Sequence, residues 1–340
     1  MKKEALWDRI FGRPAFLNEP PYKNRIWILN VLIALLLLAI ATTVQSLILT
    51  PVQTVYMLKT IDMERVSAYV SEGLSGISKV MNEVISLMKN MPSWIMLLML
   101  FLFFTITLAV YVFRVKIEKG TPQSLGLYKK GAVKQYLIGL IAGTAIFGSA
   151  VLLCVLTGGL RFETPVLPDL KSWLLIVLFF LGYFVQGMAE EILCRGFLMT
   201  AIARRNNRLT AVLVNSVFFA FLHLFNPGVS LPALFNLVLY GVFSSIVVFK
   251  TGNLWAAAAI HSAWNFAQGN LFGITVSGMW AGNSVFHAEM TEKVFLNGGE
   301  FGMEGGLCVT LVLLVCTALA AIWNPPKKPE PGGNDNAVLQ

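Results

Sequence analysis

Charge is what this chain has least of. Only 13% of its 340 residues are Asp, Glu, Lys or Arg, about half the share of an ordinary globular domain. With 56% apolar residues and a mean hydropathy of +0.70, that excludes most soluble classes. Cysteine is scarce as well. Cys154, Cys194, Cys308 and Cys316 lie in or beside apolar stretches with no CxxC spacing, so neither a disulfide framework nor a thiolate metal site is indicated, and they read as small packing residues. The sequence has no HExxH zinc signature, no Gly-x-Ser-x-Gly elbow, no paired intramembrane aspartates, no glycine-rich phosphate loop and no internal repeat.

What it has is long apolar runs. Eight stretches, about Ile26 to Leu49, Trp94 to Phe113, Gln135 to Leu156, Trp173 to Ile202, Leu209 to Phe225, Leu231 to Phe249, Leu254 to Phe272 and Gly306 to Trp323, predict an all-α polytopic transmembrane bundle of about eight spans. The first run is too long for a signal-peptide core and reads as an uncleaved span. Residues 1–25 are then a cytoplasmic segment. Residues 26–134 hold two spans and an outer loop at 51–93, in which Ile77, Val80, Met81, Val84, Ile85 and Met88 carry the spacing of an amphipathic helix. Residues 135–323 form the core, and 324–340, rich in Pro, Gly and Asn, read as a disordered cytoplasmic tail.

The net charge of +8 follows from topology. With the N-terminus inside, eighteen basic residues fall in inner segments, seven in outer loops, and Arg195 within a span. That is the positive-inside bias, with both termini cytoplasmic. No basic stripe for nucleic acid remains, and membrane lipid is the expected surrounding.

Ionisable groups inside spans are expensive, about 2.5–3.5 kcal/mol each on insertion scales, and normally face a partner, a cavity or a functional site. Here they concentrate in three runs: Glu190, Glu191 and Arg195 in the fourth, Asn215 and His223 in the fifth, His261 and Asn265 in the seventh, with Gln268 beyond. Helical rise from the basic residues at the cytoplasmic ends puts Glu190 roughly 21 Å deep, His223 and Asn265 roughly 22 Å and His261 roughly 16 Å. A shared polar site explains this better than three separate coincidences. Glu191 and Arg195 are i, i+4 in the favourable order for an ion pair and read as structural. Glu190 is turned about 100° away, out of Arg195's easy reach, and is left as the base. One carboxylate, two imidazoles and an amide suit activation of water for attack on a carbonyl, with imidazole and amide either stabilising the oxyanion or binding a metal.

Glu190 to Arg195 fits EExxxR, Phe219 to His223 fits FxxxH, and His261 to Asn265 fits HxxxN. In this order, on three predicted spans, they resemble the motifs of the CAAX protease and bacteriocin-processing family (Abi, type II CAAX prenyl endopeptidases), over about residues 173–272. The resemblance implies an intramembrane endopeptidase with Glu190 as general base, His223 helping to hold the attacking water, and His261 and Asn265 as oxyanion stabilisers or metal ligands. Phe219 is expected to shape the site by packing. A divalent ion such as Zn2+ on Glu190, His223 and His261 and a metal-free, glutamate-activated water both fit these residues. The implied substrate is a hydrophobic or lipid-modified peptide or protein, and the short loops suit a bacterial plasma membrane. A non-catalytic immunity factor or scaffold of the same family is the alternative, and a transporter a third reading. The segments 51–93 and 273–305 lie outside the resemblance, and His287 is expected to be an ordinary solvated side chain.

Overall fold

A chain crossing lipid must satisfy its own backbone hydrogen bonds, and a helix does so within one segment. In the computed structural model, which describes residues 7, 9–20, 25–89, 91–163, 168–279 and 282–324, all eight apolar runs are helical. In chain order the helices are α1 (Trp27–Thr60), α2 (Met63–Ser71), α3 (Leu74–Lys89), α4 (Ser93–Ile117), α5 (Ala132–Leu156), α6 (Leu170–Arg205), α7 (Arg208–Leu222), α8 (Leu231–Thr251), α9 (Trp255–Phe266) and α10 (Leu307–Ile322). Five of them, α1, α4, α5, α6 and α8, are long and apolar enough to cross a membrane. This is an all-α bundle of an integral membrane protein. The disordered tail expected beyond Asn324 and part of the N-terminal segment lie outside the described residues.

Two expectations about the spans need correction. The first helix does not stop near Leu49 with the apolar run but continues through Pro51 to Thr60. Proline removes one backbone donor, but apolar helices in membranes accommodate it. The fifth run ends as helix at Leu222 rather than Phe225. At 15 residues, α7 is roughly 22 Å long, shorter than the ~30 Å hydrocarbon core.

α1 shows how the bundle is held. Asn30, Ala34, Leu37 and Ala41 are buried on one stripe, while Leu32, Leu36 and Ile40 are exposed on the other. Apolar side chains on both faces are what lipid on the outer side permits. In α3, Ile77 and Met81 of the expected amphipathic face are exposed and Val80 and Val84 half-buried, so the face is covered only in part; the side chains of Ile85 and Met88 lie outside the described residues.

At the centre, α9 packs between α5 and α6. Lipid offers apolar side chains no hydrophobic reward for pairing, so close approach of small residues does the work. A Cβ on Gly143 of α5 would stand 2.5 Å from the Ile260 carbonyl oxygen, and one on Gly187 of α6 would stand 2.5 Å from Ser262 Oγ and 2.9 Å from its nitrogen. Glycine at these positions sets the spacing of the helices that carry the polar motifs.

The two ends of the bundle differ. At the basic end the N-terminal segment folds underneath: Phe11 and Phe16 are buried and Phe16 stacks on Phe249. Arg204 donates to the carbonyls of Phe16 (2.9 Å) and Ser124 (2.8 Å), and Lys250 to those of Arg9 (2.7 Å) and Trp323 (2.6 Å). Arg114 pairs with Glu118 at 2.9 Å, and Arg25 also bonds Glu118. The opposite end carries the segment 273–305. There strand β1 (Leu160–Phe162) pairs antiparallel with β2 (Ala288–Met290), and buried Asn297 donates to the carbonyls of Gly159 and Thr291, both at 2.8 Å. His287 is exposed in this segment, as expected.

Candidate active site

Glu190 and Glu191 end the regular part of α6, and the turns that follow, Ile192–Met199, are π-helical. A second π turn, Ala267–Leu271, follows His261 and Asn265 on α9. Such widened turns are frequent at functional sites; here the first contains Arg195 of the EExxxR motif and the second follows the HxxxN motif.

Glu191 and Arg195 are fully buried and paired at 2.9 Å. The other Glu191 oxygen accepts from Ser244 Oγ of α8 at 2.7 Å. Arg195 also lies over the rings of Phe219 (4.6 Å) and Tyr240 (5.7 Å), so the cation is held between a carboxylate and two π faces. Phe219 thus does more than shape the site: it screens the arginine and stands edge-on to His261, centroids 5.9 Å apart.

The expected separation of the two glutamates is only half right. Glu190 does point away from Arg195, but the two carboxylates share a partner from another helix. His261 holds Glu191 Oε1 with Nδ1 at 3.0 Å and faces Glu190 Oε2 with Nε2 at 3.6 Å. The ring nitrogens diverge, so one imidazole reaches both. Glu190 Oε1 accepts from Gln186 Nε2 at 3.1 Å, and Asn265 Nδ2 in turn donates to Gln186 Oε1 at 3.2 Å. Glu190 Oε2 has no hydrogen-bond partner.

These groups line a cavity of about 380 Å3, together with His223, Tyr240, Asn226 and Glu304. His223 caps the end of α7, its Nδ1 2.9 Å from the Phe219 carbonyl oxygen. That contact fixes the Nδ1–H tautomer and leaves Nε2 as the second ring atom. The opposite wall is apolar, with Leu38 of α1, Met96, Met99, Leu100 and Phe103 of α4, and Val309 and Leu313 of α10. Glu190, His223, His261 and Asn265 are therefore brought to one cavity. Asn215 is not: its amide holds the Ala211 carbonyl and Ser245 Oγ, tying α7 to α8.

Four polar residues of this neighbourhood escaped sequence reasoning. Gln186 lies one turn before Glu190 and was detectable as an amide in an apolar run. Ser244 and Tyr240 lie on α8, which has no charge near them to attract notice; the Tyr240 hydroxyl is buried and unpartnered. Glu304 comes from the glycine-rich stretch Gly298 to Gly306. It accepts from Ser277 N (2.7 Å), Ser277 Oγ (3.0 Å) and Gln268 Nε2 (3.2 Å). Burial pushes its carboxyl up from the ordinary range, and the Ser277 amide and hydroxyl pull it back.

Among the described residues, no three His, Cys, Asp or Glu side chains are grouped as metal ligands. The expected set Glu190, His223 and His261 is not among such groups.

Searches of the curated proteins and of the solved structures give no match to the chain. The model of one family, described as Type II CAAX prenyl endopeptidase Rce1-like, matches residues 172–267. The matched segment contains all three motifs, and at family level it supports a CAAX-type intramembrane endopeptidase. Residues 172–267 thus match the family model of Rce1-like type II CAAX prenyl endopeptidases, within a helical chain that has five helices long and apolar enough to cross a membrane.

Proposed function

We propose that this protein is an active endopeptidase that hydrolyses a peptide bond in a hydrophobic or lipid-modified polypeptide, with Glu190 as general base. The observation that carries the reading is the state of Glu190: a cavity-lining carboxylate with one oxygen held by Gln186 and the other unpartnered beside His261. That oxygen takes the proton of a water attacking the scissile carbonyl. His223, oriented through Nδ1 by the Phe219 carbonyl, offers Nε2 to hold the water. His261, with Nδ1 committed to Glu191, is a donor at Nε2 in its protonated form. Together with the second N–H of Asn265 it stabilises the oxyanion, after which Glu190 returns the proton to the leaving amine. The apolar wall opposite these groups suits the greasy part of the substrate. The charge distribution supports an orientation with both termini cytoplasmic.

The test is cleavage of quenched fluorescent hydrophobic and prenylated peptides by the purified protein in detergent, beside Glu190→Gln. The amide is nearly isosteric but cannot take a proton, so cleavage should fall by about 10²–10⁴-fold, the usual worth of a general base. Undiminished cleavage by Glu190→Gln would remove the assigned base. A broad library left intact by the parent would favour a non-catalytic immunity or scaffold role.

A further inference from the structure

Buried polar groups in folded proteins nearly always have a hydrogen-bond partner, so the exceptions call for an explanation. Among the described residues that line the central cavity, two buried side-chain atoms lack one: Glu190 Oε2 and the Tyr240 hydroxyl. The carboxylate oxygen accepts and the phenol can donate. Hydrolysis of a peptide bond needs one of each, an acceptor for the proton of the attacking water and a donor for the oxygen on which negative charge develops. Glu190 Oε2 serves as the base, which leaves the hydroxyl to be accounted for.

Tyr240 is firmly placed. On α8 it is flanked by Asn236 and Ser244, four residues to either side and so on the same face. Both of these side chains are satisfied. Asn236 Nδ2 donates to the carbonyls of Glu304 (2.7 Å) and Gly306 (3.0 Å), its Oδ1 accepts from Thr310 Oγ1 at 2.7 Å, and Ser244 Oγ donates to Glu191 at 2.7 Å. The ring between them packs on Phe219 and Trp264, centroids 5.8 Å away in each case, and on the Arg195 guanidinium at 5.7 Å. It meets the His261 ring at 66°, centroids 5.3 Å apart. All of these contacts are made by the ring, so phenylalanine would pack equally well, and a hydroxyl buried there without a partner costs stability. The ring also stands against the HxxxN motif, since Trp264 lies between His261 and Asn265 in the sequence.

We infer that Tyr240 is a third oxyanion donor: its hydroxyl bonds the scissile carbonyl oxygen as charge develops there, beside His261 and Asn265, while Glu190 Oε2 takes the proton from the water. The phenol keeps its own proton and needs no prior charging, whereas His261, with Nδ1 committed to Glu191, donates at Nε2 only when protonated. A donor that is unpartnered in the free protein and bonded in the transition state raises kcat rather than lowering KM. The role rests on the endopeptidase reading.

The test is Tyr240→Phe in the full chain, purified in detergent and measured twice. Its thermal unfolding midpoint should lie at or above the parent's, because the ring contacts remain and the unpartnered hydroxyl is gone. Ser244→Ala, which removes the bonded hydroxyl on the same face, should unfold at a lower temperature than the parent. On a quenched fluorescent peptide that the parent cleaves, Tyr240→Phe should lose about 10²–10³-fold in kcat, the usual worth of one oxyanion donor, with KM nearly unchanged. A midpoint lowered as far as that of Ser244→Ala would reveal a structural bond at the hydroxyl and overturn the assignment. A raised KM at unchanged kcat would also overturn it, since that marks a contact made equally to bound substrate. Cleavage by Tyr240→Phe at the parent's rate removes Tyr240 alone and leaves the endopeptidase reading standing; a parent that cleaves nothing in a broad library removes both.

Discussion

Neighbouring glutamates on one helix should separate cleanly when each is changed to glutamine. Glu191 is fully buried and accepts from Arg195, His261 and Ser244. It is the carboxylate paired with Arg195, whose Nε and Nη2 have no hydrogen-bond partner. Glu191→Gln leaves that guanidinium buried with only the Phe219 and Tyr240 rings facing its charge. Removing one partner of a buried pair costs about 3–5 kcal/mol, and the two ring contacts, already made in the parent, offset none of it. Glu190→Gln removes no ion pair to a permanent cation and trades one hydrogen bond for another, a change of about 1 kcal/mol.

Unfolding in mixed micelles, followed by tryptophan fluorescence against increasing SDS, measures both. Glu191→Gln should lose several-fold more stability than Glu190→Gln, while Glu190→Gln loses cleavage. The double change Glu191→Leu with Arg195→Met should regain most of the lost stability, since an apolar pair can replace a buried ion pair at little cost. It should not regain cleavage, because His261 Nδ1 no longer has its acceptor. Equal destabilisation by the two single variants would refute the division between a structural and a working carboxylate.

Other perturbations test the surrounding structure. Gly187→Ala places a methyl group against the backbone of Ser262 and should shift α9, costing about 1–3 kcal/mol by overpacking; displacement of His261 should lower kcat more than it raises KM. For Glu304 the folded carboxyl lies above its unfolded value, chiefly through burial. Its contribution to stability is therefore fullest below the unfolded carboxyl range and is lost as pH rises through the raised value. Thermal unfolding of the parent against Glu304→Gln across that window should show a downward trend with pH in the parent that flattens in the variant; identical slopes would contradict it. Cleavage should survive a strong chelator, and inhibition reversed by added zinc would show that the metal-free mechanism is wrong.

The parts of the site visible in the sequence were those governed by helix geometry. Glu191–Arg195 and His261–Asn265 are i, i+4 pairs, and one turn of helix brings such residues to one face whatever packs against it. The matching depths of Glu190, His223 and His261 were readable because rise per residue is constant. What escaped depends on how helices meet. Ser244 reaches Glu191 from another helix, α8, a meeting that the spacing within either helix does not announce. Glu304 reaches the cavity through a loop whose path is set by positive-φ glycines 298, 299 and 302, and no periodicity describes such a path. The last turns of α1 escaped because they carry Gln53 and Lys59, so hydropathy falls before the helix ends.

The adjacency of Glu190 and Glu191 explains why one histidine can serve both. Consecutive residues diverge by about 100° around a helix, so one carboxylate faces the buried arginine and the other faces the cavity. A ring on α9 placed opposite the boundary between them meets one with each nitrogen, at 3.0 Å and 3.6 Å. Gly187, one turn earlier on α6, permits the close approach of α9 that this requires. The shorter contact anchors His261 to the structural ion pair, and the longer one leaves Nε2 available to the reacting carbonyl. Lengthening the first contact should therefore impair catalysis before it impairs folding, and Gly187→Ala, which moves the helix without touching a charged group, is the substitution that separates the two.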